Sequence, residues 1–530
     1  MARHRLATGL LAVLCTVALG CQAAGPPRTG NNAPGGAPAP SSAAAAPAAP
    51  ASSGPTRVVV GQANPLDSQD PLNHTESFLY AFWCEVAGCL LGWDAKTGEP
   101  QPALAERWTV ENGTDWTFHL RHDVKWQDGS PFTAEDVVYS LQAVAEHPAG
   151  KQKYRLATVA SFEAVDSYTV RVVTKKPNSQ LLDELFVLGV PMLSKAQHER
   201  GDDLGKALAL ATGPYQLKEW VPAQRMVIAK NPAYWGGKVD GPDEVVYRVI
   251  KEDQARVTAL LSGEVQIASN VPVQDADRVK STSGNRVLQS ERLSNQFLAM
   301  APKFEPWGNL KLRQAVNYAI DKDAIIQGVL KGYAQRLDAP VGPGQVAYTP
   351  DIAPKYTYDP AKAKQLVIEA GYPNGVDVEL YSPVNFLVKD TEITQAIVPM
   401  LNAVGIRAKL MTPEWSTLWT NIQAGKVPFF YLGRGQWRDP GAPLAQYFET
   451  TRDSRLGFSD PQIDALLEQQ RATFEPEARK RVLVELMNRV QEEAPVVWLW
   501  RYQLLWGVAP NVEWTPRSDE GVLGSEIRVH

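Results

Sequence analysis

From Ala23 to about Pro55 the chain is almost all Ala, Pro, Gly, Ser and Asn. Such a segment cannot bury enough apolar surface to offset the entropy of ordering it, so it reads as a tether outside any folded core. Folding is left to the residues from about 56 onward. The whole chain of 530 residues is 44% hydrophobic and 21% charged, a globular composition, and its length suggests about three domains at ~100–200 residues each. Its net charge is -5 with no Lys/Arg block, which argues against a nucleic-acid partner. Fifteen Trp supply large, rigid, amphipathic surface, suited to binding clefts as well as to cores.

Ahead of the tether, Arg3, His4 and Arg5 form a basic start and Leu6 to Leu19 an apolar run. The run is shorter than the ~20 residues of a membrane span and reads as a secretory signal. Ala18-Leu19-Gly20-Cys21 resembles a bacterial lipobox, with Ala18 where that pattern prefers Leu. Residues 1–21 are thus expected to be a lipoprotein signal peptide, Cys21 the lipidated residue, and 22–55 a tether to the membrane, since two or three acyl chains hold far more firmly than one. Beyond Cys21 only Cys84 and Cys89 remain. Export permits a disulfide. Residues five apart on one continuous helix are separated by ~7.5 Å along the axis and lie on different faces, too far to bridge. Gly88 offers a helix end that permits closure, so the sequence leaves a disulfide and two buried thiols both open.

In the body, Arg57 to Gly61 reads as a buried strand. Leu104 to Val110 and Trp116 to Trp126 flank Asn112-Gly113, a hairpin signal. Thr133 begins a helix, with Asp136 in the position that a capping box gives to Glu or Gln. Tyr168, Val170, Val172 and Thr174 alternate as a strand. Asp359-Pro360 starts a helix that Gly371 ends. Ile393, Ala396, Ile397, Met400, Leu401 and Val404 form a helical stripe interrupted by Pro399, which predicts a kink. Ile406, Ala408 and Leu410 then alternate. Helices alternating with strands indicate an α/β protein.

Enzyme chemistry is missing from the pattern. His198-Glu199 begins like a zinc-protease motif, but Asp202 stands where the second His belongs. His119 and His122, three apart on a predicted strand, point to opposite faces. The chain has no G-x-S-x-G elbow, P-loop or G-x-G-x-x-G. The expectation is a protein that is not an enzyme, with no cofactor and no metal site.

A series of motifs points to a family. Leu104-Ala105-Glu106-Arg107-Trp108, Trp116 to Arg121, Val124 to Gly129 and Phe132 to Val137 together resemble the signature of the family 5 extracellular solute-binding proteins, the dipeptide, oligopeptide and nickel group. In order, Thr212-Gly213-Pro214-Tyr215, Asn231 to Trp235, Leu260 to Val265, Arg313 to Asp321, and Tyr358-Asp359-Pro360 with Ala370-Gly371-Tyr372 continue the match. Trp126, Ala211 and Gln266 are mild departures. The resemblance runs from about Arg57 to Trp506.

It implies an α/β, two-lobed, class II periplasmic-binding-protein-like fold with an extra inserted domain and a hinged cleft. The hinge lobe would be discontinuous, 56–98, 212–292 and 502–530. The inserted domain would span 99–211 and the opposing lobe 293–501. Arg121 and Asp128 are expected to stabilise a hairpin.

Trp437-Arg438-Asp439-Pro440 resembles the family loop whose Asp pairs with the α-ammonium of a bound peptide, although Ala442-Pro443 departs from it. Asp439 is therefore the leading ligand contact, with capping of a turn as its alternative. Trp437 would add an apolar or cation–π wall and Arg434 a fork for a carboxylate. Asn64, Asn295 and Phe297 are further candidates, with burial or turn formation as their alternatives.

The function implied is capture of a small solute, a peptide, for the permease subunits of an ABC importer, by a lipid-anchored extracytoplasmic monomer. A sensor or adhesin, or a secreted hydrolase, is the alternative. Relatives take peptides, oligosaccharides, nickel complexes, haem or opines.

Overall fold

The computed structural model describes residues 55–63, 72, 77–94, 99–147, 153–200, 211–282, 284–384, 386–434, 438–450 and 455–530. Cys21 and the tether therefore lie outside the described residues, as do Asn64 and Trp437. The expected α/β character is present in full. A mixed sheet of eleven strands runs through the body. One half is formed by Arg57–Gln62, Glu244–Val249, Arg225–Lys230, Tyr215–Val221 and Ile267–Ala268, the other by Phe429–Arg434, Val376–Tyr381 and Ile406–Met411, and the short strand Ala334–Arg336 pairs with Trp500 to Tyr502 where the halves meet.

Two long antiparallel strands, Arg286–Met300 and Val496–Val508, join the halves. Their pairing is interrupted between Glu291 and Asn295 and resumes beyond it. At one end Arg286 to Glu291 pair with Val508 to Gln503; at the other Asn295 to Ala299 pair with Arg501 to Val496. These are the two crossings on which a two-lobed arrangement depends.

Strand directions orient what lies at the crossings. Val376–Tyr381 is parallel to Ile406–Met411 and to Phe429–Arg434, and Arg434 sits opposite Asn295. The carboxyl ends of these strands therefore point at the crossings. In the other half, Ala268 pairs with Gly507 and Gly61 with Ala268, so Arg57–Gln62 also runs toward the crossings. The carboxyl edges of the two halves face one another.

Local signals hold where the physics is local. Asn112 (φ 53°) and Gly113 (φ 72°) make the hairpin turn between Ala105–Glu111 and Asp115–Leu120. Thr133 and Asp136 form the reciprocal capping box of helix Ala134–Glu146. Asp359 caps helix Pro360–Glu369 through the Lys362 N–H at 2.9 Å. Helix Asp390–Ala403 runs on with Pro399 inside it. Arg121 forks onto Asp123 and lies over Trp235, while Asp128 accepts from Ser130, so both residues do stabilise their turn. Helix Ser77–Ala87 ends at Gly88 (φ 81°), and Cys84 and Cys89 form a disulfide with Cα atoms 4.9 Å apart. Of the two alternatives left by the sequence, the helix end allows the bond.

Each sheet half buries both faces, and a further body has a core of its own. Strands Ala105–Glu111, Asp115–Leu120, Thr169–Thr174 and Val159–Asp166 form a four-stranded sheet, packed with helix Ala134–Glu146 around Phe118, Phe132, Val137 and Val172. Leu72, Leu90 and Leu91 join this core from earlier in the chain.

The last residues close the first sheet half. Tyr247 donates to Val522 O at 2.7 Å, and buried Glu85 accepts the Ser525 backbone N–H at 2.8 Å and its hydroxyl at 3.0 Å. Burial pushes the Glu85 carboxyl up from 4.5 to about 7, against the opposing effect of those hydrogen bonds. The group is neutral in both states below the unfolded value. As pH rises from 4.5 to 7 the unfolded chain releases the proton and the folded one holds it, so folding loses stability across that window. The loss is about 3 kcal/mol at one unit per ~1.4 kcal/mol. Glu85→Gln should remove this component: in urea unfolding, its stability relative to wild type rises from pH 4 to pH 8. Parallel pH profiles for the two proteins would refute the assignment.

Candidate functional site

The space between facing carboxyl edges is where open α/β sheets bind ligands, because loops there are free to vary while the strands hold them rigid. Its floor here is the pair of crossing strands. Arg501, almost fully buried, reaches Glu291 at 2.7 Å and Pro343 O at 2.6 Å, and also bonds Gln335. Arg292 pairs with Glu520 at 2.8 Å, tying the interrupted stretch to the C-terminal segment. The single proton of the Tyr502 hydroxyl goes to Val388 O at 2.7 Å, so Tyr431, 2.8 Å away, donates to Tyr502. These bonds fasten the segment after Val376–Tyr381 to the floor.

That segment carries one end of an aromatic ladder. Phe386 stacks on Trp415 with centroids 3.7 Å apart and planes within 16°. Trp415 stacks in turn on Trp419 at 5.6 Å, and Arg455 lies over Trp419 at 5.0 Å and over Tyr447 at 5.1 Å. Trp415 and Trp419 are four apart on helix Trp415–Gln423, hence on one face. The helix is fixed beneath them by buried Leu418 and Ile422 and capped by Glu414. Phe386 is 44% exposed, with Val384 and Val388 beside it in the chain also exposed. Trp415 begins the element after Ile406–Met411 and Phe386 follows Val376–Tyr381, so the ladder lies at the carboxyl edge.

A charged cluster occupies the same edge, after Phe429–Arg434. Asp439 is 5% exposed. It receives Arg479 as a fork at 2.5 and 2.9 Å and the Gly441 N–H at 2.9 Å, with the Gln180 amide at 3.4 Å. Burial alone would raise its carboxyl, but the Arg479 charge and these hydrogen bonds outweigh it and hold the group below the usual range. Beside it, Arg438 pairs with Asp183 at 2.5 Å and lies 3.6 Å from the centroid of Trp93.

The six ligand candidates thus fall in different places. Asp439 stands at the start of helix Gly441–Phe448 with its carboxylate taken by the chain itself. Asn295 is fully buried and donates to Pro340 O at 2.7 Å. Phe297 is fully buried among Tyr447, Trp498 and the core beneath, away from any surface. Arg434 ends its strand opposite Asn295, but its side chain, like Asn64 and Trp437, is outside the described residues. The sequence reading passed over Phe386, Trp415, Trp419 and the Arg438–Asp183 pair. Two Trp four apart just after an alternating strand were a usable signal for the ladder. Nothing local in the sequence couples residue 183 to residue 438.

The family description "Bacterial extracellular solute-binding proteins, family 5 Middle" matches residues 99–455. The chain belongs to this family. It is a solute-binding protein. The glutathione-binding protein GsiB of Escherichia coli K12 is 28% identical over 453 residues, 83% of this chain and 87% of that protein. The structure of HbpA2 from Haemophilus parasuis superposes with a TM-score of 0.79 at 22% identity, covering 89% of this chain and 100% of HbpA2. DppA from Helicobacter pylori, solved with the peptide STSA, gives 0.75 at 22%, covering 89% of this chain and 98% of DppA. The shared fold is the two-lobed binding-protein architecture.

The Asp439–Arg479 fork generates a stability prediction. Arg479→Met leaves a buried carboxylate without its cation, and breaking such a pair costs about 3–5 kcal/mol. The midpoint of denaturant unfolding should fall accordingly. An unchanged midpoint would show that the pair is not buried in solution.

Proposed function

We propose that this protein captures a short peptide between the facing sheet edges and delivers it to its importer. The observation that carries this is the Phe386–Trp415–Trp419 ladder, an apolar wall with paired charges on the same edge. A peptide presents both kinds of surface, apolar side chains and charged termini, and loses water from both on enclosure. GsiB binds glutathione by name and DppA was solved with a tetrapeptide, which supports the same solute class. In this arrangement Trp415 and Phe386 receive side chains, and Arg434, Trp437 and Asn64 are the further solute contacts of this reading. Asn295 and Phe297 support the floor and the core below it. Asp439 acts through Arg479 by fixing where residues 438–441 begin. Binding without turnover is the whole activity.

The lobes are then 56–98 with 212–292 and 502–530, against 293–501, and 99–211 is inserted in the first. The separate hydrophobic cores support a division into such bodies, with Leu72, Leu90 and Leu91 packing into the core of the inserted one. The protein works as a monomer, held at the membrane by lipid on Cys21. No helix among the described residues is long and apolar enough to cross a membrane.

Mass spectrometry of solute released from the purified protein, followed by calorimetry with glutathione and a di- to tetrapeptide panel, tests the solute class. A peptide should be released or bound, and Trp415→Ala should weaken its binding by up to about tenfold, the ~0.5–1.5 kcal/mol of an aromatic contact. A released oligosaccharide, with no peptide bound, would overturn it. For the anchor, intact mass of membrane-derived protein should show acyl groups that Cys21→Ala lacks; a wild type without acyl mass would count against it.

A further inference from the structure

Residues 176–183 leave the four-stranded body and meet residues 438–441 and 468–474 of the far sheet half directly. Ser179 N–H donates to Arg471 O at 2.8 Å, its hydroxyl to Gln470 O at 3.0 Å, and the Gln470 amide to Gln180 at 2.9 Å. At the centre stands Arg438. Its guanidinium is clamped between the Asp183 carboxylate at 2.5 Å and the Trp93 ring at 3.6 Å, with the two charged side chains 13% and 18% exposed. The Nε–H of Arg438 is buried without an acceptor. Both partners are thus desolvated by the meeting of two bodies, and separating the bodies returns both to water.

We propose that Arg438 and Asp183 are positioning residues for solute capture, forming a latch that holds the closed arrangement through a contact the solute does not make. A latch of this kind sets affinity by changing how much of the free protein is closed, since a competent state populated at fraction f weakens apparent binding by 1/f. Removing one partner leaves the other charge buried and unpaired in the closed form alone, which shifts the population toward open. Replacing both by apolar groups of similar size removes that penalty and restores closure. The inference rests on the two-lobed fold and not on the identity of the solute, so its failure leaves the peptide assignment standing.

Small-angle scattering of the solute-free protein tests it. Wild type should be compact. Asp183→Ala and Arg438→Met should each raise the radius of gyration, and the double variant Asp183→Leu with Arg438→Met should return it to the wild-type value. Circular dichroism checks that each variant is folded. Folded single variants that scatter as wild type, or a double variant as expanded as the singles, would overturn the latch. So would a lowered melting temperature with unchanged scattering, since that is the mark of a purely structural pair.

Discussion

The pairing of Arg286–Met300 with Val496–Val508 is the interaction on which the rest of this molecule depends. On either side of the interruption the strands are fully bonded into a sheet half with its own cores. Between Glu291 and Asn295 the ladder between these two strands lapses, and Trp500 to Tyr502 also pair with Ala334–Arg336. Arg286–Met300 can therefore bend there without breaking its own pairing with Val496–Val508, while Ala334–Arg336 holds the other strand. Two strands side by side also restrict that bending more than one would. The Arg501–Glu291 and Arg292–Glu520 pairs stiffen the passage from its flanks.

Because the strands on both sides point their carboxyl ends at this passage, the segments that vary most are delivered to one space. The division of labour there follows from physical chemistry. Stacked rings offer area with little rotamer entropy to lose, so they bind without demanding one partner geometry. The charged cluster behaves differently. Asp439, Arg479, Arg438 and Asp183 balance two against two, and burial raises the Asp183 carboxyl despite Arg438 beside it, with Asp439 adding to the rise. Groups so tightly paired hold the shape of the segments that carry them.

Much of the fold was legible because its signals are local. The Asn112-Gly113 turn, the Thr133–Asp136 box and the Asp359-Pro360 start all depend on residues within four of each other, and each stands as the sequence implied. The site was legible only as a neighbourhood. Asp439 stands at the same sheet edge as the aromatic ladder, and its carboxylate is held by Arg479, forty residues on, which the motif does not contain. Phe297 sits on the right strand, but a strand has two faces, and register alone turns it into the core. Pro399 lies inside helix Asp390–Ala403, which continues past it because its stripe of Ile393, Ile397 and Leu401 is fully buried.

The passage at residues 286–300 and 496–508 also fixes the order of assembly. Strand Arg57–Gln62 has no neighbour until Glu244–Val249 and Ile267–Ala268 exist, and Ile267–Ala268 pairs in turn with Val508 and Gly507. The half-sheet is closed off by Val522 and Ser525, far along the chain from the residues they bond. A chain emerging N-terminus first cannot complete its first core until residues 507–525 have been made. Contacts this distant in sequence fold slowly, because the loop entropy is spent before the contacts return anything. A polypeptide whose first sheet half must wait for residues 507–525 keeps the outer edge of Ile267–Ala268 unpaired for as long as those residues take to arrive.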